Sequence, residues 1–358
     1  MKFGLFYQLP CADTQTQPAR YRETIEQVVH ADKLGFNCAW LAELHFYKHF
    51  SIMSSPLIVA TAIAQQTERI RLGIAVNLLP LWHPVRSAEE GATVDLLSNG
   101  RLEFGVGRGA IPLHFAGFDR SRDDSRGRFE ESLDIIKHAW THESFSYDGT
   151  YYQIPETCVV PKPLQKPHPP IRVAANSPET AVFAGKAGYP VFVASVTNPL
   201  PKMFEQVATY RRAWTEQPAP HDGDATAKQD VSTMFFVYPG ENLDQVRQTV
   251  EPSINNYFQS VLGMMTSGSS TQDDVESYRY TTELRRNLES ITFEKVECSM
   301  AIFGSSRECV KRISTLHKEL QMNELICWFN PGGLVSHDKV LAAMTRFADE
   351  VIPEVQDL

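Results

Sequence analysis

Short, nearly unbroken apolar runs recur along the chain and alternate with stretches whose apolar positions fall every three or four residues. The runs are KFGLFYQL (2–9), CAWLAE (38–43), RLGIAVNLL (71–79), RLEFGVG (101–107), IRVAAN (171–176), VFVASV (191–196), STMFFVY (232–238) and ELICWFN (324–330). Runs of this kind mark strands buried on both faces, as in a parallel sheet covered by helices. Between the first two, Tyr21, Ile25, Val28 and Val29 keep helical spacing and Gly35 supplies a stop. Segments 56–68, 87–100 and 126–140 repeat the alternation. Eight strand–helix units predict an α/β protein, a (β/α)8 TIM barrel with insertions after strands 4 and 7, forming one domain over 1–358. An open doubly wound sheet is the alternative, and a count of eight favours closure.

Two connections exceed ordinary loop length. Residues 145–170 begin as a hairpin turning at Asp148-Gly149 and end in a proline-rich extended stretch. Residues 262–287 are polar and rich in Ser and Thr, with glycines at Gly263 and Gly268. A loop after a barrel strand hangs over the carboxyl-end face, where barrel active sites form. That placement predicts a mobile lid over 262–287, against the plainer expectation of a surface loop.

The same rule directs attention to strand ends. CAWLAELHF (38–46) delivers Glu43 and His45, which share one face if the strand continues that far. GVGRGA (105–110) lacks dinucleotide-fingerprint spacing, but its glycines would let a flat ligand approach the backbone, with Arg108 as a cation. In AANSPET (174–180), Ser177 can cap a helix, Pro178 fits its first position and Thr180 lies in the first turn. Such an N-terminus suits a phosphate, and Arg126 can approach it from the long connection after strand four. Each feature taken alone is also explained as a rim hydrogen bond or a well-made helix start.

The formal charge of −9 over 358 residues disfavours nucleic acid as partner, and no run is long enough for a membrane span. The six cysteines are scattered without a C-x-x-C pair, and Cys38 and Cys327 fall inside strands as reduced core residues; a cytoplasmic protein without metal ligands is expected. MKFGLFYQLPCA is too short in its apolar part for a secretion signal and fits a first core strand.

Taken in order, MKFGLF, WLAELHF, RLGIAVNLLPLWHPVR, LLSNGRLEFGVGRG, YDGTYYQIP, PKPLQKPHPPIRVAANSPE and the tail from NELICWFN onward resemble the bacterial luciferase-like flavin monooxygenases (the alkanal monooxygenase type) over essentially the whole chain. The resemblance implies a (β/α)8 barrel, reduced FMN as cosubstrate, molecular oxygen (O2) as oxidant and a peroxyflavin that oxygenates a small organic substrate. It places the phosphate against Arg108, Arg126, Asn176, Ser177 and Thr180. The flavin ring falls near Ala75 and Val76, where the luciferase has a non-proline cis peptide, and near Gly107. It also implies a homodimer formed through barrel helices. No segment resembles a nicotinamide-binding domain, so a separate flavin reductase is expected.

The departures matter as much. Where the family reads E-H-H this chain reads ELH, with Leu44 at the usual base position; Glu43 and His45 remain as candidate catalytic residues, His45 either moving protons or supporting the site. A reactive cysteine is replaced by Gly107 and a tyrosine by Ile111, so bioluminescence is not expected. The alternatives are a deazaflavin-dependent hydride-transfer oxidoreductase of the same superfamily and a non-catalytic flavin-binding protein. The organic substrate is left open.

Overall fold

A computed structural model describes residues 1–196, 198–216, 229–267 and 291–358. In its first half, β1 (Lys2–Tyr7), α1 (Gln17–Leu34), β2 (Cys38–Leu41), α2 (Pro56–Ala64), β3 (Arg71–Ile74), a two-residue β4 (Asn77–Leu78), α3 (Pro84–Leu97) and β5 (Leu102–Gly107) follow one another. The first insertion then contributes α4 (Pro112–Gly117), α5 (Ser125–Thr141) and an antiparallel hairpin of β6 (Phe145–Asp148) and β7 (Gln153–Thr157). Next come β8 (Ile171–Ala174), α6 (Pro178–Ala187), β9 (Val191–Ala194), α7 (Leu200–Thr215), β10 (Val231–Gly240) and α8 (Leu243–Ser267). After the helix Phe293–Met300 the chain adds β11 (Ala301–Ser305) and, following the helix Ser306–Leu320, β12 (Glu324–Trp328).

Eight of these strands close a parallel barrel in the order β1, β2, β3, β5, β8, β9, β10, β12 and back to β1. They are the eight apolar runs of the sequence. Closure is carried by β10, which pairs through Val231 with Val191 on one side and through Ser232 with Glu324 on the other. The short β11 was not expected; it runs parallel to the far half of β10, from Phe236 opposite Ala301. Its five residues abut a capping box at Ser305 and Glu308, which starts the next helix at once and cuts the apolar run short.

Several expected boundaries move. The strand anticipated over 38–43 ends at Leu41, so Glu43 and His45 lie in irregular chain and strand alternation does not align them. The run 71–79 is broken between Ile74 and Asn77 by a cis peptide joining Ala75 and Val76. The lid expected over 262–287 begins as the last turns of α8, and its residues 268–287 lie outside the described residues.

The barrel interior is filled around Trp40, which is fully buried. Its indole N–H donates to Glu324 Oε1 at 2.9 Å over the intervening strand β1, and Phe192 meets its ring edge-on at 4.7 Å. On the neighbouring strand, a Cβ at Gly73 would stand 2.0 Å from Trp40 Cε3, so only glycine leaves room for the ring. All six cysteines are free, Cys38 and Cys327 buried in strands. No helix among the described residues is long and apolar enough to cross a membrane.

Candidate functional site

The carboxyl ends of β2, β3, β5 and β8 bring the expected residues to one face of the barrel. Val76 and Gly107 are neighbours there: a Cβ at Gly107 would stand 2.5 Å from Val76 Cγ2 and 3.8 Å from the Ala174 methyl group. The valine side chain thus occupies the space that a residue larger than glycine would need. Val76, Gly107 and Ala174 therefore lie together as small apolar groups, and the Ala75–Val76 peptide bond is cis.

Beside these groups α6 starts as expected. Ser177 caps it, its hydroxyl accepting from the Thr180 N–H at 3.3 Å, with Pro178 in the first turn and Gly188 closing the far end at φ 77°. Arg108, Arg126 and Thr180 line one cavity of about 320 Å³ there, together with Phe129, Glu130, Glu179 and Phe183. Arg126 extends from the first turn of α5 and pairs with Glu130 one turn on, at 3.1 Å. Two guanidinium groups border the N-terminus of this helix, where the Thr180 and Ala181 N–H groups are already taken by the Ser177 hydroxyl and carbonyl; the two cations and the positive end of the helix suit an anion, and the space is large enough for a phosphate. Asn176 precedes the cap, and its side-chain oxygen accepts from Asn198 at 3.4 Å. Ser177 and Thr180 hydroxyls are 3.0 Å apart.

Glu43 and His45 do meet, through local chain folding instead of strand alternation. Glu43 Oε1 lies 3.0 Å from His45 Nε2 and accepts the Trp82 indole N–H at 2.6 Å, while Oε2 accepts the backbone N–H of Leu78 at 2.9 Å. This buried carboxylate therefore ties the end of β2 to β4, just beyond the cis bond, and to the segment carrying Trp82. Charge-assisted bonds of this kind are worth ~1.5–3 kcal/mol each when desolvated. The His45 ring is enclosed by Phe118 at 4.8 Å, His114 at 5.3 Å and Trp82 at 6.0 Å.

His114 and Trp82 carried no sequence signal. His114, on α4, accepts the His45 backbone N–H on Nε2 at 3.2 Å, which requires that nitrogen to be unprotonated. Burial, and then the neighbouring His45, hold the His114 pKa down to about 4. An unfolded chain binds this proton near pH 6.5 and the folded one only near 4, so the associated stability is complete above pH 6.5 and is lost as pH falls toward 4. His114→Gln keeps an acceptor without the titration. Chemical denaturation is expected to show its acid destabilisation between pH 6.5 and 4.5 reduced by roughly 2–3 kcal/mol. Parallel pH profiles for the two proteins would contradict this.

Across the barrel from the phosphate-sized cavity, β1, β10 and β12 raise an aromatic wall. Trp328 contacts Phe6 at 4.8 Å, Tyr257 at 5.1 Å and Phe236 at 5.2 Å. Phe236 and Trp328 are buried, so on this side Phe6 is the partly exposed ring of the group, opposite the arginines.

Comparison with known proteins agrees in extent with the resemblance seen in the sequence. A family model described as luciferase-like monooxygenase matches residues 1–321. The oxygenase component of a flavin-dependent trigonelline monooxygenase from Acinetobacter baylyi is 28% identical over 371 residues, covering 99% of this chain and 95% of that one. A monooxygenase structure from Streptomyces bottropensis superposes with a TM-score of 0.81 at 23% identity, over 99% of both chains. The oxygenating constituent of a 3,6-diketocamphane monooxygenase from Pseudomonas putida, solved with FMN, has a TM-score of 0.76 at 19% identity and covers 99% of this chain and 98% of that one.

Proposed function

The chain belongs to the luciferase-like monooxygenase family, and from that premise we propose that it is the oxygenase of a two-component system, using reduced FMN delivered by a separate reductase. One atom of O2 goes to a small organic substrate and the other to water. The observation that carries this is the cavity lined by Arg108, Arg126 and the start of α6, where Arg108 follows directly on Gly107, which lies against Val76 and Ala174. Its chemistry fits a flavin that ends in a phosphate: two cations and the positive end of a helix for the phosphate, and small apolar groups beside them for the ring. The trigonelline and diketocamphane relatives support the reading by their named activities.

When bound, reduced flavin supplies the two electrons that activate oxygen. The chain's own residues bind, orient and enclose. Arg108, Arg126, Asn176, Ser177 and Thr180 hold the phosphate end. Glu43 fixes His45, Trp82 and the Leu78 N–H together, so the chain just beyond the cis bond keeps its shape. His45 is the imidazole available for proton handling, and the partly exposed Phe6, backed by the buried Phe236 and Trp328, suits an apolar or aromatic substrate.

The test supplies the protein with FMN, a flavin reductase, NADH and ¹⁸O₂ against a panel of small organic compounds. Substrate-dependent product carrying one ¹⁸O atom is expected, and His45→Gln should lose product while keeping FMN affinity. Preferential binding of a reduced deazaflavin, with no oxygen uptake, would instead mark a hydride-transfer enzyme; flavin binding without turnover across the panel would mark a non-catalytic carrier.

Assembly as a homodimer through α2 and α3 belongs to the same proposal. These helices pack together and expose Ile58, Leu96 and Leu97, apolar side chains that a second copy would cover. Light scattering at micromolar concentration should return twice the chain mass of 40.3 kDa; a single chain mass would refute it.

A further inference from the structure

The cavity assigned above to the flavin phosphate is not simply basic. Arg108 and Arg126 line it, but so do Glu130 and Glu179, so its formal charges cancel before any ligand enters. Glu130 is committed to Arg126 at 3.1 Å. Glu179 is different. It occupies the first turn of α6, directly between the cap Ser177 and Thr180, and it borders both this cavity and the larger outer groove of about 620 Å³ that shares Arg126 and Phe183 with it. Its carboxylate thus borders both spaces in which an anion would meet Arg126. The positive end of the helix, which would favour a phosphate, also favours a glutamate in the first turn.

We propose that Glu179 is a built-in competitor for the phosphate: it shields the two arginines electrostatically, and so lowers the affinity for the phosphate-bearing cofactor. The proposal rests on the reading of this cavity as the phosphate site. Glu179 is held in its charged form by hydrogen bonds from its own backbone N–H and from Ser177, with Arg108 and Arg126 adding to the effect. A phosphate near neutral pH brings between one and two negative charges, which meet the arginines favourably and Glu179 unfavourably. Weakened retention suits a reduced flavin that is taken up from a reductase and released after each turnover. It does not suit a permanently held group. Because Glu179 is exposed, the effect is moderate and sensitive to salt.

The experiment compares dissociation constants of FMN and riboflavin for the wild-type protein, Glu179→Gln, Glu179→Ser and Arg126→Ala. Each is measured by flavin fluorescence at low and high ionic strength. Both Glu179 variants are expected to tighten FMN by about threefold at low salt, the size of an exposed charge-pair effect. Riboflavin should bind them as it binds the wild type, and the gain should shrink as salt rises. A merely structural role for Glu179 would move both ligands together and would ignore salt. FMN affinity unchanged or lowered in the Glu179 variants, with Arg126→Ala still selective against FMN, would overturn the competitor role and leave the phosphate site standing. If Arg126→Ala weakens FMN and riboflavin equally, the phosphate reading falls and the proposal falls with it.

Discussion

Replacing Arg108 and Arg126 together by alanine is expected to weaken FMN binding by about a hundredfold while leaving riboflavin binding almost unchanged. Both side chains line the cavity at the start of α6, on the side opposite the aromatic wall, and both can donate to a phosphate. A hydrogen bond between charged groups contributes ~1.5–3 kcal/mol. The lower figure applies here, because the Arg126 side chain is 60% exposed and already shares a carboxylate with Glu130. Two such contacts total about 3 kcal/mol, close to two decades in the dissociation constant. The helix N-terminus and the Thr180 hydroxyl survive the substitution, so FMN should keep some advantage over its unsubstituted level in riboflavin. Titration of both flavins against both proteins decides the matter. An equal loss for the two ligands would place the phosphate elsewhere.

Gly73→Ala is expected to destabilise the barrel by more than about 3 kcal/mol, an unusually large penalty for adding one methyl group. The new carbon would stand 2.0 Å from Trp40 Cε3 and 2.5 Å from two further ring atoms. The ring has nowhere to go. Glu324 holds its N–H at 2.9 Å, Phe192 presses on it edge-on, and the Arg172 guanidinium lies 5.9 Å from its centroid. Denaturant titration should show a lower midpoint with an unchanged slope, and a Trp40→Phe, Gly73→Ala double variant should recover part of the loss. A cost below about 0.5 kcal/mol for the single substitution would mean that the ring can shift, contrary to this packing.

Much of the architecture was legible along the chain. The eight barrel strands are the eight apolar runs, because a strand covered on both faces is apolar at nearly every position and no tertiary information is needed to see that. The start of α6 was equally plain, since Ser177, Pro178 and Thr180 act within one turn of each other. Arg126 was expected only to be able to approach that turn, and it lines one cavity with Thr180. What failed were features that depend on how a run ends. β2 stops at Leu41 although apolar residues continue, and β11 is too short to stand out beside the capping box that follows it.

By itself, then, the sequence determined the order and kind of the elements, the helix cap at Ser177, and the arginines that line the cavity beside it, because these rest on periodicity and on contacts within a few residues. Only the tertiary structure decided the partners. Glu43 accepts from Leu78 and Trp82, 35 and 39 positions away, His45 leans on His114 across 69, and Trp40 bonds Glu324 across 284. Such pairs are set by the register of neighbouring strands and by closure of the barrel, which brings the first and last strands side by side. A carboxylate or an indole has the same local pattern whichever partner it meets, so the chain alone shows that these groups lie at a strand or loop, and only the closed barrel shows which ones hold one another.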